Sequence, residues 1–140
     1  MRVFCIALLS AIALAQAADA PTIEPKDFAA RLAAGEKPLV LQVGIAYLFR
    51  ADHIPGAVYA GPAAKPAGID LLKSAVEKLP RNREIVIYCG CCPWDKCPNI
   101  KPALELLKGM GFTHVTAMHV PDSFKADWVD RGYPVAHGEK

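Results

Sequence analysis

The sequence predicts an α/β fold, doubly wound, with a mostly parallel sheet and helices on both faces. Three observations lead there. Short apolar runs, at Leu39, Val40, Leu41 and Val43 and again at Ile85, Val86, Ile87 and Tyr88, have the length and character of buried strands. Stretches with apolar residues at helical spacing alternate with those runs, and glycine and proline punctuate the junctions. Such alternation calls for crossover helices and hence parallel strands. The 140 residues, 53% hydrophobic and 21% charged, suit one domain with its own core and leave no room for two. A formal net charge of +2, with few aromatics and no basic run among them, gives no reason to expect nucleic acid.

The chain opens with Met1-Arg2 and an apolar stretch from Val3 to Leu14, too short to span a bilayer comfortably, followed by Ala15-Gln16-Ala17. This reads as a signal peptide over residues 1–17, cleaved after Ala17; an uncleaved anchor is the competing reading. The expected location is periplasmic or secreted, with no membrane association once the signal is removed. Cys5 lies within the leader, too early for a lipid attachment site.

Beyond the leader, Pro25 fits a first helical position, Phe28 and Leu32 share a face four residues apart, and Gly35 ends the helix. The strand of residues 39–43 follows, then a short helical turn over 46–52. The Pro55-Gly56 turn leads to a small strand near Val58. Residues 61–68, rich in Gly, Pro and Ala, read as a loop. From Ile69 a helix repeats through Leu72, Val76 and Leu79 and stops at Pro80. Residues 84–88 are the most strand-like in the chain. After the loop that follows, a helix buries Ile100, Leu104 and Leu107, with Pro102 in its first turn. β-branched residues support a strand over 113–120. Asp122 is the expected N-cap of a last helix carrying Phe124 and Trp128, which Gly132 ends.

Four of the five cysteines fall within Cys89-Gly90-Cys91-Cys92-Pro93-Trp94-Asp95-Lys96-Cys97. A disulfide framework ties distant parts of a chain together, and these four cannot. Clustered thiols point to catalysis, redox exchange or metal binding. Cys89 ends a strand ahead of a loop and a helix, where backbone N–H groups and the helix N-terminus would stabilise a thiolate.

The strand of residues 39–43, His53-Ile54-Pro55-Gly56-Ala57, the run Ile85-Val86-Ile87-Tyr88-Cys89 and the ending Gly132-Tyr133-Pro134-Val135 together resemble a single-domain rhodanese over residues 22–136. The resemblance implies a rhodanese-like doubly wound fold and a sulfurtransferase. Its catalytic cysteine takes sulfane sulfur from a small anionic donor such as thiosulfate and passes it to a thiol or cyanide-like acceptor. By position that cysteine is Cys89, which would split a difficult transfer into two covalent steps. The chain departs from the family pattern in three ways. Its first strand ends in Gln42-Val43-Gly44 where the family often has Asp-Val-Arg, the cysteine loop is several residues longer, and that loop has no arginine.

Without that arginine, anion binding falls to backbone amides around Gly90, Cys91 and Cys92 and to Lys96 and Lys101, with Trp94 as a wall of the site. Cys92 and Cys97 are expected as resolving or relay thiols, a disulfide between them being more plausible than one between the adjacent Cys91 and Cys92. This reading assigns no metal and no cofactor. The alternative is a cysteine-rich module that holds a soft metal, Zn or Cu, through the four thiols or acts in thiol–disulfide exchange. A phosphatase on this scaffold would need an arginine to grip phosphate, which discounts it. His53 is read as a capping or packing residue, and His114 and His119 as strand residues without a visible partner.

Overall fold

A computed structural model of the chain describes residues 20–138. The leader expected over residues 1–17, with Cys5, lies outside the described residues. Among those described, no helix is long and apolar enough to cross a membrane.

Five strands make one sheet: β1 (Thr22–Ile23), β2 (Leu39–Gln42), β3 (Val58–Tyr59), β4 (Ile85–Tyr88) and β5 (Val115–Met118). Their order is β1-β5-β4-β2-β3 and every pairing is parallel. The connections carry helices α1 (Pro25–Ala33), α2 (Ala46–Ala51), α3 (Pro66–Val76) and α4 (Ile100–Gly109). All four residues of β4 are buried, as a central parallel strand requires, and this is why its sequence is an unbroken apolar run.

The two-residue period of a strand divides the core. Ile85, Ile87 and the following Cys89 pack on one face of the sheet with Leu41 and Val43, against Leu72 and Val76 of α3 and Ile100, Ala103 and Leu107 of α4. Val86 and Tyr88 join the other face with Phe28, Phe49, Ile54, Met118, Phe124 and Trp128. Cys89 therefore points toward α4 as a consequence of register alone.

Three expectations need correction. The sequence suggests no strand before α1, yet Thr22 and Ile23 pair with Ala117 and Met118 at the sheet edge; two residues are too few to show a period. Helix α3 begins at Pro66 rather than Ile69, because proline takes the first helical position, where its missing N–H is of no consequence. Asp122 does not cap the last helical element, a π-helical turn over Lys125–Val129. Its own N–H instead donates to the Asp127 carboxylate at 2.8 Å, and Ser123 Oγ accepts from the Ala126 N–H at 3.2 Å. That turn buries Trp128, whose indole N–H donates to the Pro134 carbonyl at 2.8 Å.

From β2 the chain steps to β3 on one side, then crosses back to β4 and on to β5 on the other. The sheet thus reverses its winding between β2 and β4. Ligands of open parallel sheets bind outside the strand ends at such a point.

Candidate active site

Gln42-Val43-Gly44 leaves β2 and Cys89-Gly90 leaves β4 side by side at this reversal. Gln42 is polar within an apolar strand and only 2% exposed. Its amide bridges the two chain segments: Nε2 donates to the Cys89 carbonyl at 3.3 Å, and Oε1 accepts from the Gly44 N–H at 3.2 Å. A neutral amide thus fixes the cysteine backbone. Gly90 then turns the chain with φ of 71°, and its carbonyl accepts from the Phe124 N–H at 3.1 Å. A Cβ at Gly90 would overlap that of Phe124, so only glycine can start this loop without displacing the final helical turn.

The loop folds its thiols inward. The Sγ atoms of Cys89, Cys91, Cys92 and Cys97 all lie within 4.8 Å of one another. Cys89 and Cys91 are 2.9 Å apart, and Cys91 and Cys92 3.2 Å. All four are free thiols, Cys89 buried and the others half-buried. Asn99, 3% exposed at the entry to α4, turns its side chain into the cluster. Its Nδ2 donates to Cys89 Sγ at 3.3 Å and to Cys91 Sγ at 3.7 Å, while its Oδ1 accepts from the Ala64 N–H at 2.9 Å. The Ala64 contact orients the amide so that N–H, not oxygen, faces sulfur.

Electrostatics separate the thiols in a way the sequence does not suggest. The helix-end stabilisation expected at Cys89 belongs to Cys97. Donation from the Cys89 thiol, and from the backbone N–H groups of Asn99 and Ile100 at the start of α4, outweighs burial and holds Cys97 down to about 5. Cys89, donating toward Cys97 and buried, is raised and stays protonated. Burial, with the neighbouring thiols, pushes Cys92 up to about 12. Cys97 is therefore the thiol that ionises most readily, and its charge opposes ionisation of Cys89 and Cys92 at close range in a dry site.

Trp94 lies on a short 3-10 turn (Trp94–Lys96) and walls the crevice beside Cys89, Cys92 and Cys97, which leaves no room for a water molecule. His119 is not without a partner: its Nδ1 lies 2.8 Å from Glu24 Oε1, and its ring meets Trp94 edge-on at 5.0 Å. His114 likewise contacts Thr113 Oγ1 at 2.9 Å. Lys96 and Lys101 are exposed and do not figure among the groups that shift the thiols. His53 is the packing residue expected, 3% exposed, with Nδ1 2.7 Å from the Phe49 carbonyl at the end of α2. Gln42 and Asn99 are the site residues the sequence reading misses. A glutamine in an apolar strand and an asparagine just ahead of a helix were the available signals.

A buried cysteine at the end of the central strand of a five-stranded parallel α/β sheet, at the point where the winding reverses, defines a thiol-bearing α/β domain. The sequence matches the rhodanese-like domain family over residues 24–120, and the chain belongs to that family. Solved structures agree. The chain is similar to the rhodanese-like domain of an Anabaena sp. protein, with 25% identity, 84% of this chain and 79% of that one covered, and a TM-score of 0.63. It is similar to a thiosulfate sulfurtransferase from Pseudomonas aeruginosa at 26% identity, covering 87% of this chain but 20% of that one, with a TM-score of 0.64. A 3-mercaptopyruvate sulfotransferase from Escherichia coli shares the fold at 15% identity, with 87% and 53% covered and a TM-score of 0.61. No curated protein matches the chain in sequence.

Proposed function

We propose that this protein is an exported sulfurtransferase that carries sulfane sulfur as a persulfide of Cys89. The observation that carries the reading is the position of Cys89 at the end of β4, beside the Cys97 thiolate, in a chain of the rhodanese-like family. In the first step the Cys91-Cys92 segment opens to admit the donor and the Cys89 proton passes to solvent. The Cys89 thiolate attacks the sulfane sulfur of thiosulfate; the donor S–S bond breaks, its electron pair leaves with sulfite, and Cys89 holds the new S–S bond. In the second step cyanide or a thiolate attacks the outer sulfur and Cys89 leaves as a thiolate, which regains its proton. Asn99 and the Cys91 N–H lie beside Cys89 to receive the developing charge. The closed crevice requires the half-buried Cys91-Cys92 segment to shift as the donor enters. Lys96 and Lys101 supply the attraction for an anion.

Export rests on the leader read over residues 1–17, and it places the reaction in a periplasmic or extracellular setting. The test is intact mass after the reduced protein meets thiosulfate, in the wild type and in each single Cys→Ser variant, alongside transfer to cyanide. Cys89→Ser loses both the added sulfur atom and the transfer. Retention of the adduct by Cys89→Ser, with its loss in Cys91→Ser or Cys92→Ser, would assign the nucleophile elsewhere.

A further inference from the structure

Taking up the alternative that the sequence left open beside sulfur transfer, we infer that Cys89, Cys91, Cys92 and Cys97 form a binding site for a single thiophilic d10 cation, Zn2+ or Cu+. Sulfur transfer on the scheme above needs one nucleophile and at most one partner thiol; four converging thiols exceed that need. Their spacing suits an ion. Thiolates about 2.3 Å from a tetrahedral zinc stand about 3.8 Å from each other. The four Sγ atoms lie within 4.8 Å of one another, with closest pairs at 2.9 and 3.2 Å. The closest pairs therefore open by less than about 1 Å to reach the tetrahedral value, a change within the reach of half-buried side chains on a loop. Among the described residues no carboxylate or imidazole joins the cluster, and an all-sulfur set selects soft ions over Mg2+ or Ca2+.

The surroundings complete the case. Bound thiolates need hydrogen bonds to spread their charge, and groups for this are already in place. Asn99 Nδ2 reaches two of the sulfurs, the backbone N–H groups of Asn99 and Ile100 reach Cys97, and that of Cys91 reaches Cys89. The Asn99 amide is itself fixed by Ala64. The crevice admits no water, so an ion held by four sulfurs would have no open position. That is the arrangement of a closed, structural or storage site rather than of a hydrolytic one. Such an ion occupies Cys89 and shields the thiol used for sulfur transfer, so metal-bound and persulfide-bearing forms exclude each other.

The reduced, chelator-washed full chain is titrated anaerobically with Co2+ as a spectroscopic stand-in, then with Zn2+ and with Cu+. The expected result is one equivalent of Co2+ with intense sulfur-to-cobalt charge-transfer bands and the visible bands of a tetrahedral centre. Zn2+ or Cu+ displaces it, and whichever does so at the lower concentration identifies the preferred ion. Cys89→Ser and Cys97→Ser should each weaken binding at least 100-fold, and Asn99→Ala about 10-fold, with circular dichroism confirming that the variants fold. Because Asn99→Ala leaves all four sulfurs in place, it keeps the proposal testable even where a Cys variant unfolds. Absence of the thiolate–cobalt bands, or binding unchanged in both Cys variants, would overturn the site. The readout is metal binding, so a failed sulfur-transfer assay leaves this result standing, and the reverse also holds.

Discussion

The turn through His53-Ile54-Pro55-Gly56 and the loop from Cys89 to Asn99 are both irregular, and both turn some of their side chains inward, but they are held in opposite ways. The turn satisfies its backbone almost completely. His53 exchanges hydrogen bonds with Ala136 at 2.9 and 2.8 Å, the Ile54 N–H donates to Tyr88 Oη at 3.3 Å, and the Ala57 N–H closes the turn on Ile54 at 2.9 Å. The His53 ring stacks on Phe49 with centroids 4.0 Å apart. In the loop, the inward groups are mostly sulfur, a weak donor and a weak acceptor. Asn99 is the side chain whose amide donates to them. A segment whose polar groups satisfy one another has little left for chemistry and serves the fold. A segment lined with soft groups in mutual contact keeps a proton, a charge and four nucleophiles available.

The largest expected effect separates the two segments through their glycines. Gly90 and Gly56 both have positive φ, 71° and 80°, but only Gly90 is pressed against a neighbour, Phe124. Gly56→Ala should lower stability by about 1–2 kcal/mol, the ordinary penalty of that backbone region for a residue with a Cβ. Gly90→Ala adds a steric overlap with the final helical turn and should lose more than about 3 kcal/mol. Urea denaturation measures both, and equal losses would mean that the loop yields as freely as the open turn.

A smaller effect sharpens the account of the charge. Alkylation of Cys97 in the metal-free wild type should follow its thiolate, with a midpoint at about 5, and so remain fast at pH 6. Its largest stabilising partner is the Cys89 thiol. Cys89→Ala removes a hydrogen bond to the charged form, so the midpoint moves up and alkylation at pH 6 slows. Peptide mapping after a brief pulse of iodoacetamide across pH 4–9 reads it, and an unchanged profile would place the charge on another support.

The smallest effect concerns the exposed lysines. Lys96→Ala and Lys101→Ala should raise KM for thiosulfate by no more than about threefold and leave kcat unchanged, because solvated charges act by screened attraction. A large fall in kcat would bring one of them into the reacting cluster.

Much of the fold was legible because burial writes a pattern. The apolar runs of β2 and β4, the Pro55-Gly56 turn and the helical spacing of α4 each record one local rule. The misses share a cause. β1 owes its existence to the edge of β5, and the cap of the last turn passes from Asp122 to Ser123 and Asp127 because their separation in space, not their order, decides which carboxylate meets which N–H. At the site, the cysteine cluster and the place of Cys89 could be read directly. The partners Gln42 and Asn99 could not, since each acts on a cysteine 47 or 10 residues away.

By itself, then, the sequence determined that a cysteine ends the central strand and that three more follow within one loop. Alternation along β4 even set the face on which Cys89 lies. Only the tertiary structure decided what those thiols are to one another: which is buried, which meets the start of α4, and which carries the charge. The physical reason is that strand and helix patterns repeat local rules along the chain, whereas a thiol's charge state depends on burial and on donors brought from elsewhere. Cys97, not Cys89, receives the N–H groups at the helix entry, and its largest partner is the Cys89 thiol brought to it by the fold of the loop.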